Sequence, residues 1–135
     1  MGCGRVGARL ALMLTHAGHE VVIMDLKSSQ FSRLGADFKG TTILGNGIDQ
    51  EVLKRAGIER ADAFVAATQG DNRNIMASQI SKHVFGVKRV VTRIYDPLRS
   101  DTFAALGLQA ISPMIIGANS FYEEITGESA PALAV

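Results

Sequence analysis

Tryptophan is absent from this chain of 135 residues, and cysteine occurs once, at Cys3. A single cysteine excludes an intrachain disulfide and fits a reducing compartment. Neither sign of charge dominates: 14 Lys and Arg against 13 Asp and Glu leave a net charge of +1. Those charges are dispersed, so there is no broad polyanion-binding face and no basic cluster interleaved with aromatics, as a nucleic-acid module would need. No apolar run approaches the roughly 20 residues that span a bilayer. The N-terminus does not read as a secretory signal, since the apolar stretch after Arg9 is short and Gly18-His19-Glu20 is no cleavage site. Internal repeats and low-complexity segments are also lacking. What remains is an ordinary globular composition, 47% apolar and 20% charged, long enough for one domain with a real core.

Periodicity supplies the order of elements. Leu10, Met13, Leu14 and Ala17 recur at helical spacing behind Gly4, and Gly18 closes that helix. Glu20 to Leu26 is a continuous apolar run, the pattern of a strand buried on both faces. A short helix capped by Ser28 or Ser29 should follow, then the strand TTILG, then a helix from Asp49 to Ala56. ADAFVAAT reads as a strand, GDNRNIMASQISKHVFG as a longer helix and VKRVVTRIY as another strand. Asp96-Pro97 opens a helix toward Leu106, LQAIS is a short strand, and a last helix is expected near Ile115 to Ile125. Helix and strand alternate throughout, which predicts an α/β fold with a doubly wound parallel sheet of Rossmann type.

That fold would lack its first, central strand. Gly2, Gly4 and Gly7 spell G-x-G-x-x-G directly before a helix, and such a turn ordinarily follows a buried strand. In the order 3-2-1-4-5-6 its loss would leave two strands without their shared neighbour. The expectation is that Met1 is not the natural start and that a short hydrophobic strand precedes Gly2.

The glycines form a phosphate-binding turn if the residues around them agree, and they do. A helix follows, a strand comes next, and Asp25 ends that strand 18 positions beyond Gly7. This is close to the roughly 20-residue spacing of a ribose-binding acid, whose carboxylate accepts from the hydroxyls and repels a 2′-phosphate. NADP is therefore disfavoured. Ligands in such sheets sit at the carboxyl ends of strands, where Asp25, Gly45-Asn46-Gly47, Thr68, Arg93, Tyr95, Asp96 and Ser112 fall. His16, His19 and His83 fall at the opposite edge and make neither a catalytic base nor a metal site.

Together GCGRVG, the Asp25 strand end, GNG, DNRN and VVTRIYDP resemble the TrkA-N domain, the nucleotide-binding half of the RCK proteins that regulate potassium channels and transporters. The resemblance covers residues 1–125, with 126–135 as tail or linker. It implies an adenosine site in which Gly2, Gly4, Val6 and Gly7 build the turn, Asp25 and Leu26 meet the ribose, and Gly45, Asn46 and Gly47 line the adenine end. Asn46 stands where the family usually has an acid. Thr68, Asp71 and Asn74 would border the nucleotide, Arg5 would reach terminal phosphates, and Arg93 would sense the phosphate tail. Plain alternatives stand beside these roles: Asp71 as a helix cap, Arg93 paired with Asp96 or Asp71, Arg5 as a solvated helix-start residue. Cys3 reads as a small residue tolerated in the tight turn rather than a nucleophile, although its place at a helix N-terminus would lower its thiol pKa.

The function implied is a nucleotide-sensing regulatory domain, not an enzyme, of a potassium uptake or channel system. It would bind NAD(H) or ATP/ADP, lie in the cytoplasm against the inner face of the membrane through a transporter or channel subunit, and form a homodimer or higher homo-oligomer. The stripe Ala118, Phe121, Tyr122 and Ile125 suits either core packing or such a symmetric contact. The competing reading is an NAD-dependent oxidoreductase or its cofactor half, for which the strand ends offer only Ser112 and Tyr95.

Overall fold

The computed structural model describes residues 1–133; the last two positions of the expected tail lie outside them. α1 (Arg5–His16) runs from the glycine turn and is followed by β1 (Val22–Asp25), then by a 3-10 stretch at Ser28–Leu34. Next come β2 (Thr41–Leu44), α2 (Gln50–Arg55), a 3-10 turn (Ile58–Arg60) and β3 (Ala63–Ala66). α3 (Asp71–Gln79) passes into a π-helical turn (Ile80–Val84) before β4 (Arg89–Arg93). A 3-10 turn (Pro97–Arg99), α4 (Ser100–Ala105), β5 (Gln109–Ile111) and α5 (Pro113–Thr126) complete the chain.

All strand pairs are parallel, but they form two sheets, β1-β2 and β3-β4-β5. Met1 and Gly2 lie in the seam between them and bond to both sides. The Met1 amine donates to the Val65 carbonyl at 2.7 Å, Ala67 N–H to the Met1 carbonyl at 2.8 Å, and Gly2 N–H to the Met24 carbonyl at 2.8 Å. Burial lowers the pKa of that amine from 8.0 to about 6, against the opposing pull of the Asp25 and Cys3 charges. The period-two alternation of a strand points the backbone groups of Val22 and Ala63 into the same seam.

Below the seam the halves share a core. Met24 packs in one cluster with Leu53 of α2, Phe64 and Ala66 of β3, Ala77 of α3 and Val90 of β4. Its neighbour Ile23 points the other way, against Cys3, Ala8, Ala11 and Leu34. A third, small cluster joins Ile94, Phe103 and Leu108 near β5.

Three local expectations need correction. Neither Ser28 nor Ser29 caps: the capping position is Lys27, no side chain bonds the first amides, and the segment is 3-10. The helix expected to run unbroken to Gly86 widens into a π turn, in which Ser81 is buried. The last helix starts two residues early, because Pro113 occupies its first turn and the Ser112 hydroxyl accepts from Ile115 N–H at 3.4 Å. Asp49 caps α2 as expected, accepting from Glu51 N–H at 2.9 Å. α5 buries none of its residues, and no helix among the described residues is long and apolar enough to cross a membrane.

Candidate functional site

A cleft opens at the carboxyl ends of β1, β2 and β3, across the seam, in front of α1. Its glycine turn is shaped by two close approaches. Gly2 has φ +99°, and a Cβ there would lie 2.8 Å from the Ala67 carbonyl group, so the turn is pressed onto the end of β3. A Cβ on Gly7 would stand 1.9 Å from the Gly2 carbonyl oxygen, so α1 can begin this close to the turn only with hydrogen in that place. Gly4 differs: a Cβ there would meet nothing within 4 Å and lines the cleft, where it would obstruct a ligand approaching the backbone.

Asp25 faces this turn. One carboxylate oxygen accepts from Cys3 N–H at 2.8 Å and the other from Lys27 N–H at 2.9 Å. Each oxygen keeps a lone pair for a further donor, the arrangement a vicinal diol requires. Cys3 itself is fully buried, its thiol donating to the Gln30 carbonyl at 3.4 Å. Burial, with the Asp25 charge beside it, pushes the thiol pKa up. The lowering expected from the helix N-terminus is thus reversed, and Cys3 is no reactive thiolate.

Gly2, Gly4, Asp25, Leu26, Gly45, Asn46, Gly47 and Thr68 line the cleft. The Asn46 carboxamide oxygen accepts from Ile48 N–H at 3.2 Å, fixing the turn and leaving its NH₂ to donate. Arg5, Val6, Gly7, Asp71, Asn74 and Arg93 stand outside the lining. Asn74 is completely buried and uses its whole carboxamide internally: its oxygen accepts from Thr68 N–H (3.0 Å) and hydroxyl (2.5 Å), and its nitrogen donates to the carbonyls of Thr68 (2.9 Å) and Arg93 (3.0 Å). It positions Thr68 and ties the ends of β3 and β4 together. The Asp71 carboxylate accepts from Tyr95 N–H at 2.7 Å and Asp96 N–H at 2.9 Å, so it clamps the loop after β4; the cap position of α3 is Gly70. Asp96 pairs with Arg99 at 3.5 Å, while the Arg93 Nε is buried without a hydrogen-bond partner.

Four polar residues of the lining escaped the sequence reading: Lys27, Gln30, Gln69 and Arg73. For Arg73 a signal existed, since a cation in the first turn of a helix opposes the macrodipole and is favoured there only beside an anion. The two oxidoreductase candidates are elsewhere: Ser112 caps α5, and Tyr95 is 59% exposed and outside the cleft. His16, His19 and His83 are exposed, and no group of metal-ligating side chains occurs among the described residues.

A parallel α/β fold with a glycine turn, a helix behind it and an acid at the next strand end defines the Rossmann type of nucleotide-binding domain. The comparisons agree and are more specific. The TrkA-N domain profile matches residues 1–113, and the chain belongs to that family. It is 46% identical over 112 residues to the Trk system potassium uptake protein TrkA of Streptomyces coelicolor, an alignment covering 83% of this chain and 50% of that one. The chain thus spans about half the length of that relative. Among solved structures it is similar to the TrkA-N domain of inner membrane protein ybaL from Escherichia coli (TM-score 0.81, 17% identity, 92% of each chain). It is also similar to the AMP-bound Kef C-terminal domain of Shewanella denitrificans (TM-score 0.80, 20% identity, 93% of this chain and 77% of that one).

Proposed function

We propose that this chain is the nucleotide-sensing regulatory domain of a potassium uptake system, taking NAD(H) or an adenine nucleotide such as ATP, ADP or AMP and passing the result to a membrane transport partner on the cytoplasmic side. The observation that carries it is the geometry of Asp25: a carboxylate held open by two backbone amides, facing the glycine turn across one cleft, in a member of the TrkA-N family. Gly2, Gly4, Asp25, Leu26, Gly45, Asn46, Gly47 and Thr68 would touch the ligand. Asp71 and Asn74 would hold that frame, while Gly7 and Val6 seat α1. Arg5, exposed on the first turn of α1, and Arg93 at the end of β4 would act at the phosphate end.

Sensing requires that two conformations differ in affinity for a ligand, and no bond need break. An adenosine group would present its diol to Asp25 and its phosphates to the amides of the glycine turn, gripping both sheets at once. Residues 1–125 would be the binding unit, with 126–135 leading away as tail or linker. The non-enzymatic reading is supported by the place of the two oxidoreductase candidates, Ser112 and Tyr95, which stand outside the cleft lining.

Self-association would use α5. Phe121 is 73% exposed and Ile125 82% exposed, with Tyr122 beside them, an apolar stripe on a helix that buries nothing within its own chain. A second copy packed against that stripe would make a symmetric dimer. Calorimetric titration of NAD⁺, NADH, ATP, ADP and AMP into the chain, beside Asp25→Ala, tests the binding reading, which fails if no nucleotide produces saturable heat. Sedimentation of Phe121→Ser against the parent chain tests the dimer.

A further inference from the structure

We propose that Arg73 binds the β-phosphate of the nucleotide in this cleft and thereby makes the site count phosphates; the inference rests on the nucleotide-binding reading above and extends it to specificity. Gly2 is pressed against Ala67 and Thr68, so the loop leading into α3 abuts the glycine turn. Arg73, in the first turn of α3, lines the cleft at that phosphate end, while Asp25, Lys27 and Gln30 line it at the other. An α-phosphate resting on the turn amides would leave the next phosphate toward Arg73.

Among the described residues, the acids close to Arg73 in the chain make their bonds elsewhere. Both oxygens of Asp71 take backbone amides of Tyr95 and Asp96, and Asp96 takes Arg99 and Leu98 N–H. Asn72 accepts from Arg99 at 2.7 Å. Among the described residues Arg73 has neither an ion-pair partner nor a hydrogen bond from its guanidinium. It is exposed, and its charge sits at the positive end of a helix, where it is unfavourable until an anion arrives. A guanidinium offers a planar fork that matches two phosphate oxygens, so the anion it suits best is a terminal phosphate. The other arginines are placed less well: Arg5 is outside the lining, and the Nε of Arg93 is sealed away.

The test is calorimetric titration of adenosine, AMP and ADP into the parent chain, Arg73→Gln and Arg73→Lys, with thermal unfolding of each without ligand. The parent chain should bind ADP about tenfold more tightly than AMP, the size of one charge-assisted pair. In Arg73→Gln that ratio should fall to about one, with adenosine and AMP affinity changed less than about threefold, and Arg73→Lys should restore part of it. Unliganded Arg73→Gln should melt at or slightly above the parent chain, because the side chain makes no bond to lose and its charge opposes the helix dipole. A ratio kept in Arg73→Gln, or equal losses for AMP and ADP, overturns the assignment while leaving nucleotide binding intact. Failure of the parent chain to bind any of the three overturns the underlying reading instead.

Discussion

Asp25 and Asp71 follow strands of different sheets, and each gives its two carboxylate oxygens to one backbone N–H apiece. The amides on Asp25 come from the glycine turn and from its own loop, and the carboxylate lines a cleft. Those on Asp71 come from the loop after the neighbouring strand, and the carboxylate is not among the residues that line the cleft. Identical hydrogen bonding therefore accompanies different settings, one carboxylate on the cleft and the other off it. What separates them is where the remaining lone pairs look, so counting bonds to an acid says little about whether it serves a ligand.

The sharpest way to test that contrast starts with the residue beside Asp71. Asn74→Ala leaves the N–H of Thr68 and the carbonyls of Thr68 and Arg93 without their partner, and should lower the unfolding free energy by about 3–4 kcal/mol in urea titration. Asp25→Ala should weaken adenine-nucleotide binding by roughly 50-fold, about 2–3 kcal/mol, in calorimetry, with stability changed by only about 1 kcal/mol. Asp71→Ala should do the reverse: about 2 kcal/mol of stability lost, and nucleotide affinity within about threefold of the parent. Loss of binding in Asp71→Ala comparable to that in Asp25→Ala would erase the distinction.

A smaller effect sharpens the comparison at the seam. The Met1 amine titrates near 6 in the fold and near 8.0 when exposed, so the unfolded chain binds more protons between those values. Stability is then fully present above about pH 8 and falls as the pH drops toward 6, by about 1–2 kcal/mol. Denaturant titrations across that window should show the slope, and Nα-acetylation should remove it.

The sequence carried the alternation of elements, the glycine turn and Asp25, because each depends on local periodicity or on one fixed spacing. The roles of Asp71 and Asn74 were less legible. Their partners at Tyr95, Asp96 and Arg93 lie 19 to 25 positions away, and only the register of β3 on β4 brings them together. Their residue types suggested a ligand shell; the fold instead turns Asn74 inward. The π turn at Ile80–Val84 was hidden for a different reason, since a single i→i+5 turn inside a helix carries no residue signature of its own. The split of the sheet, by contrast, followed directly from the position of Gly2.

At strand level, among the described residues, Met1 and Gly2 join the two sheets, and the cleft straddles that join with Asp25 and Gly45 on one side and Thr68 on the other. A molecule lodged there would work as a clasp, bridging from above two sheets that the shared core already holds together from below.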